Sequence, residues 1–425
     1  MNTELTRHHI FRVVRICLLL GAFLGTCPGA TLLKHNFNTG NTWTSMAGYS
    51  SAASGSITAT PTLANVGTVD GYGTINNLDV NNTASSGVKL VVNSSAATGA
   101  WTAGLDSGIL SLLTPNTITN NGLLTLAFSL SSSNANPILV RIESYDASNN
   151  RTGGLKKLIY PAAPNYYQRF AIDLSTMSPD GAGTFVPASS SKVRLYFEIG
   201  NATGGEAWPN SSTLELHVDN INYASPKYYV KPSSPGSDSL NGLAETTPWK
   251  TISKAVNAAV PGDIIVLMGG EADQFVATNP NNLASFAKPG TPEAWIVLKN
   301  YPGQTPVLRS SAWNVISIAR GFNGARYTAK DVPCYIEVRG LTIRGYSSVD
   351  ANGDRQIASQ FQSTVGYPTN ESNSNGISID GRYTDYYLHD FRIADNTVEY
   401  CTGGGLNALR SDRTAFENNT SRYNT

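Results

Sequence analysis

Residues 246–270, TTPWKTISKAVNAAVPGDIIVLMGG, change character halfway. Thr247 can cap a helix whose first residue is Pro248, because a cap oxygen satisfies an orphan N–H and proline has none to waste there. Trp249, Ile252, Val256 and Ala259 then share one face at helical spacing. Pro261-Gly262 ends that pattern, and Ile264-Ile265-Val266-Leu267 follows as an apolar run, branched and too short for a second helix. A strand without polar alternation is covered on both faces, as in parallel sheets. The expectation is a short helix lying over the end of a stacked coil whose first rung is Ile264 to Met268.

Downstream, a stacked coil should repeat itself with a period of about 20 to 30 residues, because every turn refills the same inward positions. DFRIADNTVEY at Asp390 superposes on RTAFENNTSRY at Arg413, bringing Ile393 onto Phe416, Asn396 onto Asn419, Thr397 onto Thr420 and Tyr400 onto Tyr423. GISID at Gly376 superposes on GLNAL at Gly405. Asn396 and Asn419 read as an internal asparagine ladder at a turn. SRYNT, at the end, falls in mid-repeat, so further coil is expected beyond Thr425.

Upstream, residues 31–225 are rich in Ser, Thr, Asn and Gly, with short strand-like runs: GVKLVV, LLTLAFSL, PILVRIESYD, YQRFAIDL, KVRLYFEIG and TLELHVDNINY. Val193, Leu195, Phe197 and Ile199 alternate with polar residues, the mark of a strand with one face in a core and one in water. Many such strands without a helix point to an antiparallel β-sandwich.

The first thirty residues stand apart. Arg7, Arg12 and Arg15 precede ICLLLGAFLG, which is too short to span a bilayer and suits a secretory signal cleaved near Ala30. LGTC offers the alternative of a lipoprotein anchored through Cys27. Later segments lack the roughly 18 apolar residues of a membrane span. The remaining Cys334 and Cys401 allow at most one disulfide. Formal net charge is zero, from 30 basic and 30 acidic residues, so no basic nucleic-acid surface is indicated. The organisation expected is a signal at 1–30, a sandwich at 31–225 and a coil at 226–425; nothing in the sequence fixes an oligomeric state.

Two resemblances follow. Residues 228–270, from YYVKPSSPGSDSLNG through the helix to IIVLMGG, resemble the opening of right-handed parallel β-helix proteins of the pectate-lyase-like kind. These commonly begin with a Tyr-Val strand, a Gly-Ser-Asp-x-x-Asn-Gly loop, a Thr-Pro-capped helix and Pro-Gly-Asp. Residues 31–225 resemble, in pattern, the jelly-roll carbohydrate-binding modules of secreted glycan enzymes. Together they imply an exported polysaccharide-active enzyme on acidic glycans, with a lyase first and a glycoside hydrolase second. The alternative is a non-catalytic adhesin or matrix protein. The lyase resemblance also implies Ca2+ on a uronate carboxylate and an Arg or Lys as the base of β-elimination.

Inward Ile377 and Ile379 leave Ser378 and Asp380 outward, with Asn407 on the paired strand and Arg410 and Asp412 past its end. Outward side chains on adjacent rungs lie about 5 Å apart, and those two rungs apart about 10 Å, which brackets the carboxylate separations of the two glycosidase classes. Arg410 and Asp380 of this strip, together with His389, which with Asp390 opens a strand and reads as a turn pair or a catalytic dyad, are the catalytic candidates. Asn407, Ser378 and Asp412 are the substrate-binding candidates, and Trp43 and Trp208 are candidates for stacking on sugar rings. The outward strip is expected to face solvent, with Asp380 in contact with Arg410.

Overall fold

The computed structural model describes residues 31–35, 46–65, 86–113, 123–165, 167–186, 192–201, 208–277, 282–292, 294–310, 313–318, 331–345, 347–349, 355–357, 375–382 and 387–424. The signal-like segment, Cys27 and Trp43 lie outside them. Among the described residues no helix is long and apolar enough to cross a membrane.

The N-terminal part is an antiparallel sandwich. One sheet runs Gln168–Asp173, Thr125–Ser132, Leu214–Ala224, Ser86–Asn93, Thr58–Asn65, with Thr31–His35 also on Leu214–Ala224. The other runs Ser178–Pro179, Arg151–Ile159, Ile138–Tyr145, Lys192–Gly200, Ala97–Asp106, Ala47–Gly55, with Leu110–Ser111 also on Lys192–Gly200. Each apolar run of the sequence is a strand, and the alternation holds: Val193, Leu195, Phe197 and Ile199 are wholly buried against Leu90, Trp101 and Phe128. Burying one such side chain stabilises by about 1.5–3 kcal/mol.

From Tyr228 the chain forms three stacked parallel sheets, visited in the same order turn after turn, which is a parallel β-helix. The first holds Tyr228–Val230, Ile264–Leu267, Ile296–Asn300, Asp331–Arg339, Tyr387–Ala394 and Ser411–Glu417. The second holds Phe275–Ala277, Val307–Ser310, Thr342–Arg344, Thr397–Glu399 and Thr420–Arg422. The third holds Ala284–Phe286, Asn314–Ile318, Asn375–Asp380 and Leu406–Leu409. Thr397 pairs with Thr420 and Ile377 with Leu406, so both repeats read in the sequence are true registers. Asn396 and Asn419 form the ladder inside a turn, joined by Nδ2–H to Oδ1 at 3.0 Å. Cys334 and Cys401 are free thiols in the coil interior.

The opening stretch is corrected in two places. The helix spans Ile252–Ala258 with Thr251 at its cap, not Thr247. Asp238, from the Gly-Ser-Asp loop, causes the delay: its carboxylate accepts the Lys250 and Thr251 N–H groups at 2.9 and 3.0 Å, with Thr251 held extended. Trp249 is consequently not helical but bridges Val230, its ring stacked on Tyr228 at 4.6 Å. The first rung is Tyr228–Val230, paired in parallel with Ile264–Leu267.

Ile265 and Leu267 point into the coil, while Ile264 and Val266 pack outward on Leu123 and Ala224 of the sandwich. The run is therefore bare of polar residues because its outer face is covered by the other half of the molecule. On later rungs that outer face turns ionic, with Val266, Lys299 and Arg339 in one column and Val297, Glu337 and Arg392 in the next. Asp173 of the sandwich accepts from Lys299 and, at 2.7 and 2.8 Å, from Arg339. Glu337 is fully buried and accepts from Arg169 of the sandwich at 2.9 Å and from Arg392 at 2.8 Å, with the Arg339 Nε also 2.9 Å away. Arg392 also holds Glu417.

Burial would raise the Glu337 carboxyl, but the guanidinium groups of Arg392, Arg169 and Arg339 outweigh it and pull it down to about 2, from 4.5. A depressed carboxylate stabilises the fold above its unfolded value and stops doing so as pH falls through its folded one. That contribution is roughly 3 kcal/mol, present above pH 4.5 and lost on approach to about 2. The melting temperature of the wild type should thus exceed that of Glu337→Gln at neutral pH, and the gap should close in acid. A gap unchanged down to about pH 2.5 would refute the assignment.

Candidate functional site

The strands ILVRIESY and KVRLYFEIG lie antiparallel at the centre of the seven-stranded sheet, and their alternation sorts two populations. Ile138, Val140 and Ile142 go inward with Val193, Leu195 and Phe197. Arg141, Glu143, Tyr145, Arg194, Tyr196 and Glu198 go outward. Register sets Arg141 opposite Tyr196 and Glu143 opposite Arg194, and the next strand sets Asp106 opposite Tyr196. Tyr49, one strand further, lies opposite Gly104.

Planar groups assemble from this register. The Arg141 guanidinium lies 4.1 Å over the Tyr196 ring, and Tyr49 meets that ring edge-on at 6.1 Å. Glu143 accepts the Tyr145 hydroxyl at 2.6 Å, the Tyr196 hydroxyl at 3.1 Å and the Arg151 Nε at 2.8 Å. Arg194 forks onto Asp106, Nε at 2.8 Å, and Arg141 pairs with Glu198 and, at 3.4 Å, with Asp180. A Cβ on Gly104 would stand 2.8 Å from the Tyr49 hydroxyl and 2.6 Å from the Phe197 carbonyl, so only glycine lets the ring lie there.

Burial, reinforced by Glu198 at Tyr49 and by Glu143 at Tyr196, pushes both phenols up, so they remain proton donors across the ordinary pH range. Asp106 is held below the usual carboxylate range: burial would raise it, but the Arg194 and Gly108 hydrogen bonds win. Arg141, Arg151, Arg194 and Lys156 match Asp106, Glu143, Asp180 and Glu198 in number, so the patch has no net charge. Balanced forks, phenol hydroxyls and flat faces in one sheet suit a ligand that offers vicinal hydroxyls and an apolar ring face. The same groups offer no activated nucleophile.

The residues singled out from the sequence sit elsewhere. Ser378 pairs with Asn407 on adjacent rungs of the third sheet, and Asp380 pairs with Leu409, one residue before exposed Arg410. The expected solvent exposure does not hold for the earlier rung: Ser378 is 1% and Asp380 3% exposed. Asp380 is bound to Arg382, through Nε at 3.0 Å and Nη2 at 2.9 Å, a neighbour two residues away that the strand-to-strand reading did not consider. His389 is buried on the first sheet, not the third; its Nδ1 lies 2.6 Å from Asp390, which also takes Arg413 at 3.0 and 3.1 Å. Half-buried Asp412 pairs with His389 one rung on.

Trp208 is core rather than platform, 2% exposed with its Nε1–H donating to the Pro137 carbonyl at 2.8 Å. Among the described residues no group of three His, Cys, Asp or Glu could hold a metal ion. The donor chemistry gives the reason: Asp173, Glu337, Asp380, Asp390 and Glu399 each accept from a guanidinium, which a calcium ion would have to displace. Among the described residues, these five carboxylates do not fit the calcium site that the lyase resemblance implies.

No family model matches the chain, and no curated protein matches it. Solved structures similar to it include the family 11 carbohydrate-binding module of a cellulosomal cellulase of Clostridium thermocellum, with 13% identity over 46% of this chain and 95% of that one, TM-score 0.29. A family 30 carbohydrate-binding module from another cellulosomal cellulase of that organism has 14% identity over 47% and 98%, TM-score 0.27. An exo-β-agarase has 12% identity over 46% of this chain and 24% of its own, TM-score 0.26. The sandwich stands on its own strand register, independently of these low scores.

Proposed function

We propose that this chain is an exported glycan-binding protein in which a sandwich at 31–225 presents the ligand-binding face and a β-helix at 226–425 is joined to it. The observation that carries the reading is the outward face of the seven-stranded sheet, where Tyr49, Arg141, Arg194 and Tyr196 interleave with four carboxylates. A purely structural face would not need two guanidinium groups laid over one tyrosine ring and held by acids from three separate strands and a turn. Export follows from the arginine-flanked apolar run before Ala30.

The expected result is retardation of the full chain in gels containing an insoluble or viscous glycan, with Tyr196→Ala losing about tenfold or more in affinity. Lys89→Ala, on the other sheet of the sandwich, should bind as the wild type does. Equal binding by Tyr196→Ala, or no retardation of the wild type on acidic and neutral glycans alike, would sink the proposal.

The finer reading is an enzyme, a lyase before a hydrolase, acting along the coil. It draws on buried Asp380 at the end of its strand, paired with the exposed Arg382 just beyond it, on the same sheet as Asn407. Incubation with uronate polysaccharides should then generate the ultraviolet absorbance of an unsaturated product. Retention of the glycan without any turnover would leave the adhesin reading in its place.

A further inference from the structure

Where the sandwich meets the coil, a recess of about 120 Å³ opens between Tyr167, Arg169 and Asn220 on one side and Trp295, Tyr335 and Ala415 on the other. Arg169 forms much of its wall. The side chain is 8% exposed, its Nε donates to Glu337 at 2.9 Å, and its guanidinium lies 4.5 Å over the Trp295 ring. Trp295 in turn meets Tyr335 edge-on at 5.7 Å. The Nη1 of Arg169 is buried and has no hydrogen-bond partner. A buried charged donor left unmatched is costly, and native structures seldom keep one without a use.

Charge points the same way. The ion pairs linked to Arg169 join four cations, Arg169, Lys299, Arg339 and Arg392, to three carboxylates, Asp173, Glu337 and Glu417. One positive charge is in excess in a place where the protein dielectric leaves it poorly screened. We propose that the recess is a binding site for a carboxylate, whose oxygen would accept from Arg169 Nη1 and whose single charge would balance the network. One free donor and one surplus charge suit a monoanion better than a phosphate dianion. Asn220 and Tyr167 also line the recess, where their side chains can meet hydroxyls on the same ligand. This site is separate from the glycan face of the seven-stranded sheet and does not depend on it.

Titration calorimetry of the full chain with galacturonate, galactose and acetate tests the idea. Galacturonate should bind and galactose, which has the same ring without the acid, should not. Tighter binding of galacturonate than of acetate identifies a sugar acid, equal binding identifies a free carboxylate, and either upholds the site. Arg169→Met should weaken carboxylate binding about tenfold to a hundredfold. Because Arg169 also supports the junction, Ala415→Trp serves as a second variant that fills the recess while leaving every ion pair in place, and it should lose binding with an unaltered melting temperature. Galacturonate binding that survives both substitutions, or that galactose matches, overturns the proposal, as does an absence of carboxylate binding by the wild type. Tyr196→Ala should leave this binding unchanged, so failure here and failure of the glycan face are read separately.

Discussion

Glu337→Ala should cost about 3–5 kcal/mol of stability, a large share of the roughly 5–15 kcal/mol that holds a domain together. The side chain is wholly buried and its two oxygens serve Arg169, Arg339 and Arg392. Truncation leaves Arg169 without its carboxylate partner, and Arg339 and Arg392 with only Asp173 and Glu417, in a largely buried cluster of like charges. Breaking a buried pair is expensive for that reason, even where the intact pair adds little over an apolar replacement. The contrast is Lys89→Ala, whose half-exposed pairing with Glu215 should be worth no more than about 1 kcal/mol. Chemical denaturation of the two variants checks this. A loss below about 1 kcal/mol for Glu337→Ala would mean that anions or water enter the junction freely and that it is not a dry interface.

The coil could be read because its constraint is local and periodic. Inward Ile377, Ile379 and Ile393 must recur at every turn, so shifts of 23 and 29 residues bring Asn396 onto Asn419 and Asn375 onto Gly404, and the hydrogen bonds connect those same residues. The junction could not be read, since its ion pairs span 126 to 168 residues and join elements with no common period. Lys299, Glu337, Arg339 and Arg392 look like the wet side of a strand, and only the docked sandwich makes them an interior. The outward face of the seven-stranded sheet falls between these cases. The alternation of Arg141, Glu143 and Tyr145 with isoleucine and valine was visible in the sequence, and so was that of Arg194, Tyr196 and Glu198. Their convergence depends on antiparallel register, which fixes Arg141 against Tyr196. Trp208, a candidate sugar platform in the sequence, is core because a large ring fills a sandwich interior more effectively than any smaller side chain.

Asn396→Ala should destabilise the chain by about 3 kcal/mol or more, although it removes only a small polar side chain. Asn396 is 1% exposed. Its Oδ1 accepts the Leu341 N–H at 3.1 Å, and its Nδ2 donates to the Val338 carbonyl and to Asn419 Oδ1, each at 3.0 Å. Alanine would strand a buried backbone donor and a buried backbone acceptor on the preceding turn, where water cannot replace the amide, and each costs about 1–3 kcal/mol. Asn419→Ala should cost less, because that amide is half-buried and solvent can reach its former partners. Asn396→Asp separates hydrogen bonding from shape. The carboxylate can still accept from Leu341 but points its second oxygen at the Val338 carbonyl, so the variant should be weak at neutral pH. It should recover part of the loss in mild acid, where a protonated carboxyl regains one donor. Equal stability of Asn396→Asp and wild type at neutral pH would show that the amide nitrogen contributes nothing, and that the ladder is a consequence of the stacked turns rather than one of the forces that stack them.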